Sequence, residues 1–283
     1  MKRILVVLAF LSFVPFAFAQ RIDETNGKHT QLYPTKDRAP GWAKPGGSHG
    51  QNLIYWGGPT ITSAKSVAIF WGPSWGTNSS LTDPVAQELL GFFGQFGTSG
   101  EYNVITQYSG IQQTSLTGSF WWDKTAPPTN VTDAALVNEV IKYFGQGGGT
   151  PDESTIYSVF LPATSYSSYG SSTSCGGPNL VYCAYHSNFN YGGLDIKYSS
   201  LPYPSCGGCQ WTGWTAAQNL EHFACHETRE AVTDPDGNAW FDRRGYEADD
   251  KCAWSPAPFI GTGGYGYQWE WSNAVSGCVK TAP

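Results

Sequence analysis

An α/β or α+β fold, built as a mixed sheet with packed helices, is what this sequence predicts, and three observations predict it. Short β-branched and aromatic runs alternate with amphipathic helical stretches between 53 and 161, the order that builds an α/β layer. A later helix, from about 215 to 232, carries charged residues at zincin-like spacing. The intervening 162–213 shifts to Ser, Gly, Tyr and Cys with few long apolar runs, which reads as a disulfide-braced loop region of the C-terminal half.

The elements follow in order. Residues 1–19 have the three parts of a secretory signal, with Lys2 and Arg3, an apolar run over 4–16 and the small-x-small end Ala17-Phe18-Ala19. Residues 20–52 mix charges with Pro40-Gly41 and Pro45-Gly46-Gly47 and read as an extended or disordered leader. A single domain is expected over 53–283. Within it, 53–56 and 67–71 carry the signature of a strand pair. Asp83 then caps a helix with Pro84 at its first position and Val85, Leu89, Phe92, Phe93 and Phe96 at helical spacing. Residues 104–108 read as a strand. Thr132 or Asp133 caps a second helix, and 155–161 suits a buried strand. Thr215 caps the charged helix, which Asp234-Pro235 stops. No repeat or heptad is visible.

Charge excludes two partner classes. The formal net charge is −6, and loss of Lys2 and Arg3 with the signal takes it to −8. With no cluster of Lys or Arg there is no footprint for nucleic acid or for an anionic membrane. Once the signal is removed, no stretch is long and apolar enough to span a bilayer.

Seven cysteines all fall between 175 and 278. In an exported chain they favour structural disulfides. The short-range choices are Cys175 with Cys183, Cys206 with Cys209, and Cys252 with Cys278, leaving Cys225 as a buried, inert thiol, although spacing does not prove connectivity. Cys206-Gly-Gly-Cys209 lacks a second pair to complete a zinc ribbon.

The charged helix holds the chemistry. In His222-Phe-Ala-Cys-His226-Glu227-Thr-Arg-Glu230, His226 and Glu230 are four residues apart and share one helix face. Glu227 follows the first ligand, as the general base does in the His-Glu-x-x-His helix of zinc peptidases, with Glu230 in place of the second histidine. His222 and His226 have the same spacing, but the residue after His222 is Phe223, which cannot take a proton, so His222 is read as a flanking group. A catalytic zinc needs a third protein ligand. Glu247 is the first choice and Asp250 the second, 17 and 20 residues beyond Glu230. One histidine and two carboxylates would weaken the Lewis acidity of the ion. Two plainer readings compete. Glu227, Arg229 and Glu230 would form ordinary solvated surface pairs, or the oxygen ligands Asp234, Asp236, Asn238, Asp242, Asp249 and Asp250 would hold a structural Ca2+, though not as an EF-hand. His186 reads as a hydrogen-bonded loop histidine ahead of the alternative of a distant ligand, and Trp240, Trp254, Trp269 and Trp271 as mainly structural.

Taken together, His226-Glu-Thr-Arg-Glu-Ala-Val-Thr-Asp-Pro235, Asn238-Ala-Trp240, Glu247-Ala-Asp-Asp-Lys-Cys252 and Trp271-Ser-Asn273 resemble the EXORDIUM-like (phosphate-induced protein) family and its bacterial relatives, with Tyr55-Trp-Gly-Gly-Pro59 and Cys183-Ala-Tyr-His186 fitting upstream. The resemblance covers about 55–278. It implies an extracellular or cell-wall-associated protein linked to growth responses, and a shared residue pattern matched here by His226, Glu227, Glu230, Glu247 and Asp250. The expectation is therefore a secreted metal-dependent hydrolase, a zinc peptidase in which His226, Glu230 and Glu247 hold Zn2+ and Glu227 activates water against a peptide or cell-wall substrate. The alternative is a non-enzymatic extracellular binding or growth-signalling module, in which the same acidic cluster holds a structural metal or braces loops.

Overall fold

Every residue of Thr155–Phe160 is buried, as befits a central strand covered on both faces. The computed structural model, which describes residues 28–39, 51–116 and 119–282, places this strand within a six-stranded mixed sheet. In chain order the strands are β1 (Thr30–Pro34), β2 (Lys65–Trp71), β3 (Phe120–Asp123), β4 (Thr155–Phe160), β5 (Tyr182–Tyr191) and β6 (Leu194–Leu201). They lie side by side as β1-β5-β6-β4-β2-β3. The run β6, β4, β2, β3 is parallel, and β5 is antiparallel to both its neighbours.

Four helices complete the layers: α1 (Pro84–Phe96), α2 (Gly100–Asn103), α3 (Asp133–Lys142) and α4 (Ala216–Thr233). Their starts are the ones the caps dictate. Asp83 accepts from the amides of Val85 and Ala86, Thr132 from Ala135, and Thr215 and Gln218 close a capping box. On one face of the sheet, α1 and α4 bury Leu89, Phe92, Phe96, Leu220 and Phe223 against Phe70 and Phe160. On the other, α3 packs Leu136 and Val140 against Tyr157 and Val159. The expected mixed sheet with packed helices is present, and its class is α/β.

Four expectations need correction. The segment 30–34, read as part of a leader, is β1, entirely buried and paired with β5 from Thr30 opposite Ser187 to Pro34 opposite Tyr182. Its Thr30, Gln31 and Pro34 hide it from a search for apolar runs. The signal at 1–19 and the rest of the leader up to 27 lie outside the described residues, as does 40–50. Residues 53–56 do not pair with β2. Ile54–Tyr55 instead pairs antiparallel with Trp240–Phe241. At 104–108 the chain forms a 3-10 turn, Val104–Gln107, because Thr106 and Gln107 bond back to the carbonyls of Asn103 and Val104. Finally, 162–213 contains β5 and β6, two long strands of the core sheet. Apart from Ile196 and Leu201, most of their buried positions are Tyr, Ser, Ala and other polar or small residues, and several hydroxyls are bonded internally, as in Thr30 Oγ1 to Ser187 Oγ at 2.7 Å and Tyr185 to Asp133 at 3.0 Å.

The disulfides join Cys175 to Cys206, Cys183 to Cys209 and Cys252 to Cys278. The last is the expected pair, and the first two replace the short-range choices. Cys183 lies in β5 while Cys206 precedes, and Cys209 ends, the turn Gly207–Cys209, so the two bridges tie that turn to the start of β5 and to the loop before it. Cys225 is free and buried. Burial pushes its thiol well above the ordinary range, which agrees with an inert role. Disulfides suit an oxidising compartment, and among the described residues no helix is long and apolar enough to cross a membrane.

Glu221 is buried in α4, accepting from the Gly266 amide at 2.7 Å, and burial pushes its carboxyl up to about 8. Between its ordinary value and about 8 the folded chain binds this proton more tightly than the unfolded chain, so its contribution to stability is lost as pH rises through that window. Glu221→Gln is expected to flatten the pH dependence of the melting temperature between pH 5 and 8. An unchanged slope would remove Glu221 from that role.

Candidate metal centre

Helix α4 is unusual in that its charged residues are as deeply buried as its Leu and Phe. His226, Glu227, Arg229 and Glu230 are each 0% exposed, so the surface-pair reading of these residues does not hold. The helix is sandwiched between the sheet and the segment 247–272, and each of its polar side chains must find a partner there.

Arg229 points to the segment side. It donates to Asp249 from two nitrogens, to the carbonyls of Glu101 and Gln268, and lies 2.7 Å from Glu270. The opposite side faces strands β1 and β5. Side chains alternate along a strand, so His29, Gln31 and Tyr33 of the β1 stretch project toward α4 while Leu32 joins the core on the far face. Gln31 stands opposite His186 in the β1/β5 register, and both reach the helix.

Within this dry layer the ligand atoms gather in three overlapping trios: His226 with Glu230 and Asp250, His186 with Glu227 and Glu230, and His29 with His186 and Glu247. In the first trio His226 Nε2 is 3.0 Å from Glu230 Oε2 and 3.8 Å from Asp250 Oδ1. Neither His226 Nε2 nor Glu230 Oε2 makes a hydrogen bond. The orientation of each ligand is set from behind. His226 Nδ1 lies 3.3 Å from Gln268 Oε1, whose amide nitrogen is committed to Asp249, so Nδ1 carries the proton and Nε2 presents its lone pair. The Asp250 amide donates to Glu230 Oε1 at 2.8 Å, leaving Oε2 to face His226. Asp250 Oδ2 accepts from Gln31, leaving Oδ1 inward.

Two lone-pair atoms 3.0 Å apart in a dry site, out of hydrogen-bonding alignment, repel unless a cation lies between them. Around one zinc with bonds near 2.0–2.2 Å, ligand atoms stand about 3–3.6 Å apart. The residues present therefore fit a divalent metal. The charge balance agrees: Glu227, Glu230, Glu247, Asp249, Asp250 and Glu270 are all buried, and the guanidinium that answers them, Arg229, is committed to Asp249 and Glu270. Without a cation, burial holds Glu227, Glu230, Asp250 and Glu270 well above the usual carboxylate range, neighbouring acids adding to it, and holds His186 low.

Of the residues singled out in the sequence, His226, Glu227, Glu230, Glu247 and Asp250 come together. Asp250 rather than Glu247 shares the trio with His226 and Glu230, while Glu247 turns toward His186 and His29. His222 stays outside the trios and bonds Tyr33 at 3.0 Å. Burial, with His226 adding, pushes its imidazole down to about 3, a neutral bracing group. Asp234 closes the end of α4, accepting from the Ala239 amide. The oxygen ligands proposed for calcium are directed to separate partners: Asp236 to Lys197, Asp242 to Lys251 and Asp249 to Arg229. Sequence reasoning missed His29, Gln31 and Tyr33 and left His186 in a loop. A signal existed in the scarcity of histidine, for the chain has five and four of them, His29, His186, His222 and His226, lie around this helix. The fifth, His49, is outside the described residues.

Comparison with protein-family models, with curated proteins and with solved structures finds no match.

Arg229→Met is expected to cost about 3–5 kcal/mol, because it strands Asp249 and Glu270 without a counter-charge in the interior. Chemical denaturation of the two proteins checks this, and a loss below about 1 kcal/mol would mean that Arg229 is not the brace described.

Proposed function

We propose that this chain is a secreted metal-dependent hydrolase, a zinc peptidase by mechanistic class, with His226 Nε2, Glu230 Oε2 and Asp250 Oδ1 as ligands and Glu227 as general base. The observation that carries the reading is the pair of unpartnered, fully buried ligand atoms of His226 and Glu230, 3.0 Å apart, with the Glu227 carboxylate grouped beside Glu230. The resemblance to the EXORDIUM-like family supports the extracellular setting, as do the disulfides and the expected signal.

Zinc so held would supply Lewis acidity, tempered by two anionic ligands. The chain's own residues do the rest. Glu227 has one oxygen, Oε1, without a hydrogen bond and the other, Oε2, 2.9 Å from His186 Nδ1. His186 thus orients the carboxylate while Oε1 takes a proton from the attacking water and returns it to the leaving amine. Gln268 and the Asp250 amide keep the ligand set in register through the bonds described above.

The complete burial of His226 and Glu230 favours one alternative, a structural metal that braces an extracellular binding or signalling module. The two readings part at Glu227. Under the hydrolase reading Glu227→Gln lowers turnover of a peptide library by about 10²–10⁴-fold while elemental mass spectrometry finds the zinc content unchanged. If wild-type protein with stoichiometric metal turns over nothing, or the variant keeps full activity, the hydrolase reading fails. A loss of stability on metal removal without any turnover would favour the bracing module.

A further inference from the structure

Beyond the first trio lies a second set of ligand atoms that the His-Glu-x-x-Glu helix does not account for. We infer that the cluster holds a second divalent cation, at His29, His186 and Glu247, next to the position formed by His226, Glu230 and Asp250. This deepens the proposed function and rests on its metal-site reading.

The argument begins at His186. Its ring is 1% exposed, and Nε2 has no hydrogen-bond partner. Because Nδ1 donates to Glu227 Oε2 at 2.9 Å, Nε2 carries the lone pair. That lone pair faces Glu247 Oε2 at 3.7 Å, too far for a hydrogen bond but close to the separation of two ligands on one ion. A bare imidazole nitrogen aimed at a carboxylate oxygen in a dry interior is an arrangement that a cation between them resolves.

His29 supplies the third ligand from the other side. Its Nε2 lies 2.8 Å from Glu247 Oε1, and metal binding would displace the proton shared there. The position of the ring is built into the fold. The His29 amide donates to Asn188 Oδ1 at 2.6 Å, and Gly237, at φ +69°, packs so closely that a Cβ there would lie 2.3 Å from His29 Nδ1. The donors come from three distant segments of the chain, which is why no local motif announces them. Two imidazoles and one carboxylate suit zinc or another transition-metal ion better than calcium.

The two positions are neighbours, since His186 also belongs to a trio with Glu227 and Glu230. A second ion would add Lewis acidity to the same site, and Glu227, grouped with His186 and Glu230, would lie beside both sets of ligands.

Native mass spectrometry of the protein lacking its expected signal, titrated with Zn2+, tests the inference. Two zinc ions per chain are expected, falling to one in His29→Gln and to one in Glu230→Gln. One ion in the wild type, unchanged in His29→Gln, overturns the second position and leaves the first standing. Two ions persisting in His29→Gln also overturn it, and no bound ion overturns both readings. Should His29→Gln fail to fold, electron paramagnetic resonance of the wild type saturated with Mn2+ decides. An exchange-coupled spectrum supports the pair, and an isolated six-line signal overturns it.

Discussion

Helix α4 takes His226, Glu227, Arg229 and Glu230 out of water together, and the surrounding structure is arranged around the need to compensate them. An uncompensated charge in a protein interior costs several kcal/mol even after relaxation, so each neighbour has a stated duty. Gln268 holds His226 in one tautomer while anchoring to Asp249, the Asp250 amide holds Glu230, and Asp249 and Glu270 hold Arg229. The Cys252–Cys278 bridge closes the segment from which most of these partners come. Thus the apolar core, the disulfide and the polar layer are parts of one arrangement, with the sheet as its floor.

The arrangement also separates two kinds of polar atom. Arg229 is paired with protein groups, Asp249 and Glu270, whereas several atoms between α4 and β5, namely His186 Nε2, His226 Nε2, Glu227 Oε1 and Glu230 Oε2, are left without hydrogen bonds. Nitrogen lone pairs and carboxylate oxygens so placed are the donor types a divalent metal ion takes.

Much of this was legible in the sequence because it is local. The caps at Asp83, Thr132 and Thr215, the period of α1 and α3, and the placement of His226, Glu227 and Glu230 on α4 all depend on residues within a few positions of one another. What the sequence concealed is non-local. Nothing in Lys28-His29-Thr30-Gln31 announces that this stretch pairs with a strand more than 150 residues away, and β5 is masked because tyrosine, serine and histidine occupy its buried positions. The disulfides show the same limit. Proximity in sequence picked the neighbours Cys206 and Cys209 for each other, but the turn between them points the two sulfurs at different partners. The choice between Glu247 and Asp250 depended on which oxygen the Gln31 amide and the Glu247 backbone had already taken.

The remote origin of β1 has a kinetic meaning. Contacts between residues so far apart in sequence are costly in loop-closure entropy and tend to form late. During synthesis β1 emerges long before β5 and α4 exist to receive it. The layer around α4 is thus incomplete until β1 is captured by the later-made half of the chain, and an ion that required His29 would be retained only by a molecule that has finished folding.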